Sequence, residues 1–207
     1  LNHRDDPDAK PLYARVLTLF TVACGAIFLV TALFMPYLVQ LPFIGGKFIN
    51  PKFWSGMTII PVVMFAYFFN GMFINMAAGL HITKKTWWLP IATGAAAVLN
   101  VVATLLLVPE YHIDGAAWAK VIAYVGGALV LAFYVQKVFP ISYDWVRIGA
   151  TMLITATLYA AVMFLTDDPQ IRLWLSLAAL PVYVVALLAF RVIGRSTIST
   201  LLSLVRR

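Results

Sequence analysis

Few side chains in this 207-residue sequence could carry out chemistry, and their spacing limits what that chemistry would be. Glu110 and Asp114 stand four residues apart just after Pro109, a spacing that suits a general acid/base pair. At the tip of a hairpin the same two residues simply keep the turn hydrated. His81 and His112 fall in different polar turns, which the topology below puts on opposite faces of a membrane, so they do not share a metal ion. Cys24 is the only cysteine and lies in an apolar run, excluding an intrachain disulfide and a cysteine metal cluster. There is no zincin pair, no phosphate loop and no Gly-x-Ser-x-Gly elbow. The expectation is a non-enzyme without metal or cofactor.

Polar groups embedded in apolar sequence say more, because in hydrocarbon each needs a protein partner or a wet cavity. Asn70, Gly71 and Asn75 share one run; Thr93, Ala97, Asn100 and Thr104 recur at helical spacing in the next; Thr151, Thr155 and Tyr159 follow at i, i+4, i+8 in a third. Such stripes serve either as helix contacts, with interhelical hydrogen bonds worth about 1 kcal/mol each, or as the lining of a path for a polar substrate. Lys120 is the one charge set into an apolar arm, roughly 8 Å along the axis from Gly115. Its ammonium either snorkels back to the interface or faces a hydrated cavity beside Tyr124, where it would attract an anion such as phosphate. The candidate substrate-binding residues are therefore Lys120, Tyr124, Asn100, Asn70 and Asn75, at the expense of any catalytic or metal assignment. Ala119, Ala123 and Gly127 are small residues at four-residue spacing and predict close helix packing.

The elements that must hold these residues are membrane helices. Hydrophobic residues make up 63% of the chain and charged ones 11%, and the mean hydropathy is +0.92, so the outer surface faces lipid. The apolar runs predict an all-α, polytopic bundle with six spans, at about 16–39, 53–80, 88–108, 115–139, 145–166 and 172–193. Residues 98–124 form a helical hairpin around Pro109. Pro61 should kink the second span and Pro181 the sixth, while Pro36, Pro109, Pro140 and Pro169 lie at span ends or in loops. Residues 1–15 form a cytoplasmic N-terminal segment, and 194–207 an amphipathic tail lying at the interface. With six spans, eleven of the fifteen Lys and Arg share one face with both ends, which places those ends in the cytoplasm. The net charge of +7 is thus topogenic, and nucleic acid is not a partner. No signal peptide precedes the first span, and the opening Leu1 suggests a piece of a longer polypeptide.

From Asn100 to Tyr124 the sequence resembles the polysaccharide-biosynthesis branch of the multidrug/oligosaccharidyl-lipid/polysaccharide exporter superfamily, the O-antigen and lipid-linked oligosaccharide flippases. The resemblance rests on Asn100, the apolar run Leu105 to Val108, Pro109, and then Gly115, Ala116, Ala117, Trp118 and Ala119. The stretches RDDPDAKPLYARV (Arg4 to Val16), IIPVVMFAYFFNGMFIN (Ile59 to Asn75) and PISYDWVRI (Pro140 to Ile148) resemble the same branch in the same order. Such transporters have about twelve to fourteen helices in two lobes, and this chain resembles the last six; one lobe alone cannot form the two-sided cavity of alternating access. Lys120 stands where the family more commonly has a small hydroxyl residue, so its role has to be argued from its own chemistry.

The resemblance implies the C-terminal lobe of a bacterial inner-membrane flippase that moves undecaprenyl-pyrophosphate-linked oligosaccharide, an O-antigen or other lipopolysaccharide unit, across the membrane. Its implied partners are that lipid-linked substrate, membrane lipids, an N-terminal lobe of the same transporter and other polysaccharide-assembly proteins. An efflux pump for amphipathic cations would want a carboxylate deep in a span, and none is present. A membrane enzyme of glycan assembly would want clustered acidic or histidine residues; a scaffold would want neither.

Overall fold

The computed structural model describes residues 9–43, 46–47, 49–190 and 192. All the major elements are helices: α1 (Ala9–Leu38), a 3₁₀ helix (Pro51–Ile59), α2 (Ile60–Ile82), α3 (Trp88–Val138), α4 (Trp145–Leu165) and α5 (Pro169–Ala189). Two short strands, β1 (Pro42–Phe43) and β2 (Gly46–Lys47), pair antiparallel with Pro42 opposite Lys47. Among the described residues, five helices are long and apolar enough to cross a membrane. Large side chains such as Phe164, Leu105 and Leu153 stay exposed on their outer faces, as expected where lipid is the solvent.

The α3 helix explains why the number of long helices is five. Straight, its 51 residues would reach about 77 Å, more than twice a hydrocarbon core of about 30 Å. Only at His112 does the backbone leave helical geometry, with φ 48° and ψ −118°. That is the first-corner conformation of a type II′ turn, which favours glycine and is strained for histidine. From this point the helix folds back on itself: Trp88 stacks on Tyr134 with ring centroids 3.9 Å apart, Leu99 lies against Gly126, Ala96 against Gly127, and Gly115 on the Leu107 backbone. These pairs step in opposite directions along the chain, so the arms 88–111 and 113–138 are antiparallel. The expected hairpin is present, with a tighter turn than expected, since Pro109 and Glu110 remain helical. Ala119, Ala123 and Gly127 are buried, as small residues in a close-packed seam should be.

Other boundaries move for local reasons. Pro61 sits in the first turn of α2, and the residues before it wind as a 3₁₀ helix capped by the Asn50 side chain, so the helical winding changes at the position where a kink is expected. The last helix begins at Pro169 rather than Arg172, because Asp168 caps it by accepting from the amides of Gln170 and Ile171. Arg172 turns its guanidinium back to the Thr166 carbonyl, 2.8 Å away, and to Asp167. α1 starts at Ala9, ahead of the expected Val16. The expected amphipathic tail at 194–207 lies outside the described residues, as do residues 1–8 of the N-terminal segment.

The chain divides into two compact units. One comprises residues 9–17 and Val39–Tyr143, with α2 and both arms of α3. In it, α2 runs parallel to the second arm of α3, since Tyr67 lies beside Tyr124 and Gly79 beside Val135 and Phe139. The other comprises Thr18–Leu38 of α1 with α4 and α5. Its core is Leu29, Leu33, Val162, Ala179, Tyr183 and Leu187.

Candidate functional site

An open cavity of about 90 Å³ lies within the α2–α3 unit, lined by Asn70, Phe73, Thr93, Ala96, Tyr124 and Gly127. Helical spacing explains the lining. Tyr67, Asn70 and Phe73 follow at i, i+3, i+6 on α2, while Lys120, Tyr124 and Gly127 follow at i, i+4, i+7 on the second arm of α3. The first arm adds Thr93 and Ala96. The space exists because Ala96 and Gly127 carry too little side chain to fill the angle between three helices. Tyr124 is twelve residues from the turn at His112 and fourteen from the end of α3 at Val138, so the cavity is set near mid-length of the hairpin.

Lys120 stands one turn closer to the turn than Tyr124. Its Nζ lies 5.3 Å from the centre of the Tyr67 ring, within cation–π range, and Tyr67 in turn meets Tyr124 edge to face at 5.8 Å. The ammonium is thus held on the α2 side of the hairpin, against the aromatic pair that borders the cavity. Among the described residues the ion pairs are Arg147–Asp144 and Arg172–Asp167, so no carboxylate neutralises Lys120. Neither Asn70 nor Thr93 forms a side-chain hydrogen bond with another described residue, which leaves an amide and a hydroxyl available in the cavity lining. A cation, an aromatic face, an amide and hydroxyls are the groups that recognise a phosphorylated sugar.

The structure therefore sets Tyr124 and Asn70 in the cavity lining and leaves Lys120 outside it, linked to Tyr124 through the Tyr67 ring. Asn75 and Asn100 are not in the lining: the Asn75 amide donates to the Gly71 carbonyl at 2.9 Å, bonding its own helix, and Asn100 is half-buried on the first arm of α3. Of the expected polar stripe on that arm only Thr93 reaches the cavity, because the arm packs through Ala92, Ala96 and Ala103. Tyr67 and Phe73 were not expected at all; their three-residue spacing on either side of Asn70 was the available signal. Glu110 and Asp114 are both exposed near the hairpin tip.

The stripe on α4 has a different fate. Thr151 and Thr155 are buried and donate to the carbonyls of Arg147 and Thr151, both at 2.8 Å, and Ser176 on α5 does the same to Arg172. Tyr183 donates to the Val22 carbonyl of α1 at 2.9 Å, passing over Gly25, which leaves room for the ring and for Thr155. Of these bonds the Tyr183 one joins two helices, while the threonine and serine hydroxyls are satisfied on their own helices. No family model, curated protein or solved structure matches the chain.

Proposed function

We propose that this chain is a six-crossing lobe of a carrier that flips undecaprenyl-pyrophosphate-linked oligosaccharide across a bacterial cytoplasmic membrane by alternating access. The two arms of α3 each count as a crossing, and both ends of the chain face the cytoplasm. The sugar and pyrophosphate pass through a hydrated cavity between this lobe and a second one, while the polyprenyl tail stays in lipid. Lys120 attracts the pyrophosphate, Tyr67 and Tyr124 offer faces to the sugar rings, and Asn70 and Thr93 supply hydrogen bonds. No bond of the substrate is made or broken, so the protein is not an enzyme.

The observation that carries this reading is Lys120. An ammonium set about two turns inside an apolar hairpin carries part of the about 2.5–3.5 kcal/mol that a lysine costs at the bilayer centre, and among the described residues no carboxylate offsets it. The resemblance of residues 100–124 to the oligosaccharide flippases supplies the substrate class, and the excess of Lys and Arg at the end-bearing face supplies the orientation.

The test is translocation of a lipid-linked glycan in vesicles holding the full-length protein. Lys120→Ala should lower the rate at least tenfold and Lys120→Arg should retain most of it, with helix content unchanged in both. Unchanged transport by Lys120→Ala would remove the site, and absence of glycan flipping by the unmodified protein would remove the function.

A further inference from the structure

One end of the α2–α3 unit gathers three lysines without a carboxylate among its described residues. Lys84 and Lys85, in the turn between α2 and α3, and Lys137, in the last turn of α3, stand at one end, and all three are exposed. They share that end because Gly79 packs on Val135 and Phe139 and because Trp88 stacks on Tyr134. Among the described residues of the unit the carboxylates are Glu110 and Asp114, which sit by the turn at the opposite end of α3. About 24 residues of helix separate the two ends, on the order of 36 Å, so those carboxylates are several Debye lengths from the three lysines.

Two further features point to a ligand at the lysine end. The α2 helix ends in a Schellman cap, with the Lys85 amide donating to the Leu80 carbonyl at 3.0 Å and the Lys84 amide to His81 at 3.2 Å. The left-handed residue of that cap is Lys84, φ 56°, where glycine would be unstrained. The sequence thus keeps a lysine where the backbone prefers none. The setting is also that of a membrane interface: Trp87 is exposed, Trp88 stacks on Tyr134, and Lys137 Nζ lies 4.0 Å from the centre of the Phe133 ring. Three ammonium groups beside interfacial aromatics, with no carboxylate among the unit's described residues at that end, complement a phosphodiester.

We propose that Lys84, Lys85 and Lys137 form a binding site for the headgroup of an anionic phospholipid. The bilayer itself supplies the ligand, and the site does not depend on whether the chain transports anything.

The experiment is lipid titration of the full chain followed by native mass spectrometry, with phosphatidylglycerol and phosphatidylcholine as probes. Phosphatidylglycerol should bind more tightly than phosphatidylcholine. Each Lys→Gln change should weaken phosphatidylglycerol binding about fivefold, and the triple change Lys84→Gln/Lys85→Gln/Lys137→Gln about a hundredfold. The triple Lys→Arg variant should bind as the unmodified chain does, as should Lys52→Gln outside this end. Lys84→Gly separates the roles: it should raise thermal stability by relieving the cap while lowering affinity about fivefold. The proposal is overturned if the triple glutamine variant, shown folded by its helix content, binds phosphatidylglycerol like the unmodified chain. It is equally overturned if phosphatidylcholine binds as tightly, or if soluble glycerophosphate displaces the lipid at the same concentration.

Discussion

The α1–α4–α5 unit and the α2–α3 unit differ in how deeply they bury polar side chains. All five polar side chains that are fully buried among the described residues, Thr18, Thr21, Thr151, Thr155 and Ser176, belong to the first. Thr151, Thr155 and Ser176 can be buried because a hydroxyl one turn along a helix finds its own backbone carbonyl, so no polar group is left without a partner in lipid. In the α2–α3 unit the polar groups stay partly exposed and gather round a cavity, where Asn70, Thr93 and Tyr124 face space rather than backbone. A group that bonds its own helix is removed from recognition; one left unpaired needs water or a substrate. The comparison makes the first unit a lock and the second the holder of the candidate site.

The largest expected effect tests the hairpin that builds the site. A Cβ on Gly115 would run into the Leu107 carbonyl and the Val108 amide, which are backbone and cannot swing aside. Gly115→Ala should therefore cost about 3 kcal/mol, the upper part of the usual overpacking range, in unfolding from mixed micelles. A variant as stable as the parent would mean the arms do not meet there. Gly25→Ala in the other unit meets the ends of the Tyr183 and Thr155 side chains, which can yield, so about 1–2 kcal/mol is expected from the same measurement.

Smaller effects separate lock from site more finely. Tyr183→Phe removes one interhelical hydrogen bond and should cost about 1 kcal/mol of stability without altering transport. Asn70→Leu should leave stability within about 0.5 kcal/mol and lower the transport rate instead. Reversal of that pair of outcomes would invert the assignment of the two units. At neutral pH the smallest effect is that of Tyr143, which lies in the connection between α3 and α4. Burial pushes its phenol up to about 12, so the fold favours the neutral form. Its stabilising contribution is whole below the ordinary tyrosine value of about 10 and is lost as pH rises from there through 12. Unfolding midpoints measured across that window should fall for the parent chain and fall less for Tyr143→Phe.

Much of the architecture was legible because it is local. Long uncharged runs dictate helices in lipid, the small residues at 119, 123 and 127 dictate a close seam, and a short polar stretch between two such runs dictates a reversal. Boundaries differ where a single cap competes with a charge: Asp168 and Pro169 start α5 three residues before Arg172, the charge that bounds the apolar run. At Pro61, where a kink is expected, the winding changes from 3₁₀ to α.

By itself, then, the sequence determined that the chain is helical and apolar, that it reverses near Pro109, and which few polar groups interrupt the runs, since periodicity and solvent act residue by residue. Only the tertiary structure decided which of those groups meet. The offset between α2 and the second arm of α3 is what sets Tyr67 beneath Lys120 and Asn70 beside Tyr124, and it is fixed by the packing of side chains more than fifty residues apart. The same packing turned Asn75 onto its own helix and left Asn100 outside the cavity.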